Sequence, residues 1–82
     1  MARESRTVSP TKAIAALDQM GYHEVDRIGE ISILDHSFPA VAPFPIAIDC
    51  AYPTLPLDDI EAQLEDAGID VTIFLSHLDA LV

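Results

Sequence analysis

The sequence predicts an α+β fold, a two-layer sandwich in the order α-β-β-β-α-α, with an antiparallel three-stranded sheet and helices packed on one of its faces. Three observations predict it. Apolar residues recur at helical spacing near the start and again toward the end of the chain, short strand-like runs lie between them, and the glycines Gly21, Gly29 and Gly68 stand at the joints.

Residues 1–8 show no apolar periodicity and read as a flexible N-terminal arm ahead of a single domain over 9–82. Ser9-Pro10 offers an N-cap followed by proline at the first helical position, where its missing N–H costs nothing and its fixed φ suits the helix. Ala13, Ile14, Leu17 and Met20 then recur at helical spacing, and Gly21 ends the helix where a left-handed conformation is cheap. Tyr22 to Ile28 reads as a strand whose poor alternation suits a sheet edge. Gly29 turns the chain back into a second strand, in which Ile31 and Ile33 alternate with Glu30, Ser32 and Leu34, ending at Asp35-His36-Ser37.

The charge-free segment from Phe38 to Pro45 holds three prolines, so it cannot be a central strand throughout and reads as an extended loop. Ile46-Ala47-Ile48, with Asp49 and Cys50, makes a third strand, and Tyr52 to Pro56 a rigid connector. Asp58 or Asp59 is expected to cap a second helix with Leu57, Ile60, Leu64 and Ala67 in one stripe; Gly68 stops it. Asp70 is expected to cap a last helix in which Ile73, Phe74, His77, Leu78 and Leu81 share a face.

With 82 residues, half of them hydrophobic, the chain can bury one modest core. A lone Cys50 excludes an internal disulfide and fits a reducing compartment. The apolar runs are too short and too interrupted to cross a bilayer, and the polar start lacks the apolar stretch of a secretion signal, which places the expected location in the cytoplasm. Fourteen Asp and Glu stand against four Lys and Arg. Such a surface repels nucleic acid at ordinary ionic strength. It fits a very salty cytoplasm such as that of a halophilic archaeon, where the Debye length falls to roughly 3 Å at about 1 M salt, or docking to a basic partner.

Several motifs, in order and spacing, resemble the HicA-like mRNA interferase toxins. Ala16-Leu17-Asp18-Gln19-Met20-Gly21-Tyr22 is similar to that family's Leu-Glu-x-x-Gly-Phe. The segment Ile60 to Asp70 is similar to its closing Leu-x-x-Ile-Leu-x-x-Ala-Gly-Leu-Ser, and Phe74 falls on a phenylalanine of its last helix. The resemblance runs from about Ser9 to Leu78 and implies a compact relative of the double-stranded RNA-binding fold. It also implies RNA binding, mRNA cleavage by a histidine in the second strand, and a HicB-like antitoxin as protein partner.

The resemblance breaks at that histidine. Where the family has Gly-Ser-His, this chain has Gly29-Glu30-Ile31-Ser32. Histidine serves because it can take a proton from a ribose 2′-OH or give one to the leaving oxygen near neutral pH; isoleucine can do neither. The carry-over puts the catalytic position on Ile31, with Glu30 and Ser32 as neighbours. A second family histidine falls near Cys50, and Arg27 is the only basic residue near the site. The expectation is a toxin-antitoxin-family protein that keeps a binding role without nuclease activity.

Two alternatives stand beside it. One is an active RNA endonuclease with displaced residues, His36 being the fallback beside Asp35 and Ser37; consecutive strand residues point to opposite faces, so these three do not make a triad by themselves. The other is a protein-interaction module using Phe38, Val41 and Phe44, on a segment that is either a flap over a sheet edge or an exposed patch for a partner. Cys50 reads as a small buried hydrophobe, because Asp49 and Tyr52 offer no positive charge to a thiolate. His77 reads as a hydrogen-bonded packing residue. The histidines and Cys50 lack metal-ligand spacing, so neither a metal nor another cofactor is expected.

Overall fold

The computed structural model describes residues 6–37 and 44–81. Strand β1 (Thr7–Val8) leads into helix α1 (Pro10–Gln19), followed by β2 (Tyr22–Ile28), β3 (Ile31–His36), β4 (Ile46–Asp49), β5 (Leu55–Pro56), α2 (Leu57–Asp66) and α3 (Val71–Asp79). The main sheet is antiparallel in the order β2-β3-β4, and β1 pairs with β5 in a separate two-stranded sheet. The predicted α+β architecture is therefore present, with β1 and β5 added.

Helix α1 forms where its caps dictate. The Ser9 side chain accepts from the Lys12 backbone N–H at 3.2 Å, Pro10 opens the first turn, and Gly21 leaves with φ 101°. Ala13, Ala16 and Leu17 are buried from this helix, against Leu57, Ile60 and Leu64 of α2, Phe74 and Leu78 of α3, and Tyr22, Leu34, Ile46 and Ile48 of the sheet. Each fully buried Leu, Ile or Phe contributes roughly 1.5–3 kcal/mol, so this set supplies most of the stability.

Register decides which sheet face joins that core. Ser32 pairs with Ile48 and Leu34 with Ile46, and all four are buried. Alternation alone would send Ile31 and Ile33 inward. Their partners in β4 are Asp49 and Ala47, so both isoleucines lie on the face without helices. Strand β2 forms one edge, exposed after Tyr22, with a register shift between Glu24 and Asp26 that breaks its regularity. The opposite edge is closed by a side chain: Gln63 of α2 accepts from the Ala47 N–H at 2.8 Å and donates to the Ala47 carbonyl at 3.0 Å.

Three expectations are corrected. Thr7 and Val8 do not belong to a loose arm: they pair with Pro56 and Leu55, and Val8 is buried. The Leu57 N–H also donates to the Arg6 carbonyl at 2.9 Å. Residues 1–5 lie outside the described residues. Helix α2 begins at Leu57 with Pro56 before it and no side-chain cap, so Asp58 and Asp59 sit inside the first turn, where the helix dipole favours their charge. Ile73 is half exposed and does not share the buried face of Phe74 and Leu78. Asp70 does cap α3, accepting from the Thr72 N–H at 2.9 Å.

Candidate functional site

Ile31 opens β3 directly across from Ile28 on β2 and Asp49 on β4. Cross-strand partners share a face, so these side chains stand on the open side of the sheet together with Ile33, Ala47 and Asp26. Ile28 is 63% exposed and Ile31 37%. The result is an aliphatic patch where the resemblance places catalysis, edged by the carboxylates of Asp26, Glu30, Asp35 and Asp49. Glu30 sits in the exposed turn, its carbonyl accepting from the Cys50 N–H at 2.8 Å. At the position where the resemblance places a histidine stands the aliphatic side chain of Ile31, which can neither take nor give a proton.

Two other expected site residues, Ser32 and Arg27, lie on the opposite face. Ser32, sequence neighbour of Ile31, is fully buried and donates its hydroxyl to Glu24 Oε1 at 2.5 Å. Arg27 pairs with Ser32, not Ile31, and donates through Nη2 to the same Glu24 oxygen at 2.8 Å. The Ser32 hydroxyl, and after it Arg27, hold the Glu24 carboxyl below its usual range; Glu24, in turn, holds the Arg27 guanidinium above its own. The basic residue expected beside the site is thus neutralised on the far side of the sheet. Arg27 also lines a shallow cavity of about 470 Å³ with half-buried Cys50, Tyr52, Thr11 and Ile14.

Phe44 is 57% exposed and, with Pro45, Gln63 and Asp66, lines a second shallow depression of about 550 Å³. Phe38 and Val41 lie outside the described residues. Gln19 Oε1 and His77 Nδ1 are 3.0 Å apart, which ties α3 to α1 and makes His77 a packing residue.

His36 is also structural. Its Nε2 lies 3.0 Å from the Met20 carbonyl oxygen, and its ring meets Tyr22 edge to face, centroids 5.1 Å apart and planes at 89°. A different histidine finds the partners expected of catalytic geometry. His23 Nε2 is 2.6 Å from Ser37 Oγ, and His23 Nδ1 is 3.4 Å from Asp18 Oδ1. Asp18 comes from the last turn of α1, Gly21 reverses the chain, His23 is the second residue of β2, and Ser37 follows the end of β3. Ser37 is anchored by its own N–H, which donates to the Gly21 carbonyl at 2.9 Å. Sequence reading found no such cluster, because its members share no local spacing. The only signal was the hairpin, which brings the start of β2 beside the end of β3.

No family model, curated protein or solved structure matches this chain.

Proposed function

We propose that this chain is a HicA-like toxin-antitoxin-family protein without nuclease activity that binds a protein partner through the open face of its sheet. The observation that carries this reading is Ile31: at the family's catalytic position it supplies no acid or base and extends an aliphatic patch with exposed Ile28 and half-buried Ile33. The carboxylate rim and a net charge of −10 disfavour phosphate backbones and favour a partner with apolar residues flanked by Lys and Arg. By the family resemblance, that partner is an antitoxin-like protein encoded beside it. The acidic surface supports a salty cytoplasm as the setting in which the two meet.

The test compares wild type with Ile31→His for RNA cleavage in multi-molar potassium chloride, and wild type with Ile28→Asp/Ile31→Asp for co-purification of the neighbouring gene's product. Wild type is expected to leave RNA intact, Ile31→His to gain cleavage, and the aspartate pair to lose the partner. RNA cleavage by wild type, or RNA retained in place of the protein, overturns the reading. So does partner capture that survives both aspartates.

A further inference from the structure

We propose that Ser37 is a nucleophile for acyl transfer from carboxylic esters, with His23 as its general base and Asp18 as the residue that positions His23. The proposal rests on contacts separate from the aliphatic patch and does not depend on the partner reading. In the tautomer that carries its proton on Nδ1, the His23 Nε2 lone pair faces Ser37 Oγ at 2.6 Å, while Asp18 Oδ1 stands 3.4 Å from Nδ1. The Ser37 hydroxyl donates to the Gly21 carbonyl oxygen at 3.1 Å, and His23 Nε2 lies closer to the same Oγ, at 2.6 Å. Rotation of the hydroxyl about Cβ–Oγ turns its proton from the carbonyl to Nε2, the arrangement that a nucleophile and its base require. Asp35, the cross-strand partner of His23, adds a second carboxylate on that face.

The chemistry balances without a cofactor. Ser37 Oγ bonds to the acyl carbon of the ester while its proton passes to His23 Nε2. The carbon–alkoxide bond breaks and the leaving alkoxide takes that proton as the free alcohol. Water then attacks the acyl group, gives a proton to Nε2, and releases the acid as Oγ recovers its hydrogen. Side-chain exposures of 57% at His23 and 66% at Asp18 leave the site open to solvent, so it suits small activated esters and acyl groups carried on a larger surface, without a walled pocket to select among them.

The experiment is intact-mass spectrometry of the full chain after treatment with a fluorophosphonate probe and, separately, with p-nitrophenyl acetate. One adduct on Ser37 is expected. Ser37→Ala should abolish it, and His23→Gln should slow it on the order of 10²-fold, the usual worth of a positioned general base. Asp18→Asn should slow it about fivefold, as an exposed pair implies, with the rate restored in Asp18→Glu. That rescue separates a positioning role from a merely structural one. An unlabelled wild type, an adduct that survives Ser37→Ala, or His23→Gln reacting at the wild-type rate overturns the proposal; circular dichroism of each variant confirms that the fold compared is the same.

Discussion

Replacing Tyr22 with phenylalanine should make this protein more stable. The ring is fully buried beneath α1, yet its hydroxyl has no hydrogen-bond partner among the described residues. In the unfolded chain that hydroxyl is hydrated, so folding strips its water and returns nothing, at a cost of roughly 1–3 kcal/mol. Phenylalanine keeps the edge-to-face contact with His36 and removes the cost. In a domain of this size each kcal/mol moves the melting temperature by roughly 4–8 °C, so Tyr22→Phe should melt at least about 4 °C higher.

A second signature appears in alkali. Burial, and after it the Asp35 carboxylate, pushes the Tyr22 phenol above its ordinary pKa. A group whose pKa is raised on folding stabilises the protein below its unfolded value, about 10, and that contribution is lost as pH rises through the folded value. Wild type should therefore weaken above about pH 10, and Tyr22→Phe should lack this part of the decline. Urea unfolding in potassium chloride, followed by circular dichroism near neutral pH and again in alkali, measures both effects. An unchanged or lower midpoint near neutral pH would refute the reasoning, because it would mean the hydroxyl is satisfied.

Three further outcomes follow from other contacts. Gly21→Ala should cost roughly 1–3 kcal/mol in the same unfolding assay, because φ is 101° there and a Cβ would lie 3.0 Å from the His36 ring; a neutral effect would show that the ring yields freely. Gln63→Ala leaves the Ala47 N–H and carbonyl open on an edge strand, so sedimentation should detect concentration-dependent association absent from wild type, together with a loss of about 1–2 kcal/mol for the two hydrogen bonds. Ser32→Ala removes the strongest influence holding the Glu24 carboxyl down, so its midpoint in a carbon-13 titration should rise. Because a depressed carboxyl stabilises above its unfolded pKa and that stability is lost as pH falls through the folded value, wild type should lose more on acidification than the variant; an unmoved midpoint counts against the Ser32 bond.

What the sequence could reveal follows from how local each cause is. Ser9, Pro10 and Gly21 fix the two ends of α1 through contacts within a few residues, and Asp70 does the same for α3, so these boundaries were legible. The edge character of β2 was legible too, in its mixed alternation. Strand β1 was not: two residues carry no period, and what makes Thr7 and Val8 a strand is a partner far along the chain. The start of α2 was misplaced because capping preference pointed to Asp58 or Asp59, whereas burial of Leu57 and its bond to the Arg6 carbonyl draw the cap back to Pro56, two or three residues earlier. At the site, alternation showed that Ile31 and Ser32 part company, but only pairing with β4 shows which goes inward. The meeting of Asp18, His23 and Ser37 is wholly tertiary.

The clasp between Thr7–Val8 and Leu55–Pro56 has a kinetic consequence. Most of the chain separates these partners, whereas β2 and β3 are joined by a tight turn at Gly29. Closing the long loop costs more chain entropy than closing the hairpin, and the short strands return few bonds for it. The hairpin should therefore assemble early, with α1 already beside it, while the clasp closes after the helices have docked and opens first in native-state hydrogen exchange. Because β5 runs straight into α2, each opening of the clasp also frees the first turn of that helix, making the junction at Leu57 the point from which the folded domain begins to unravel.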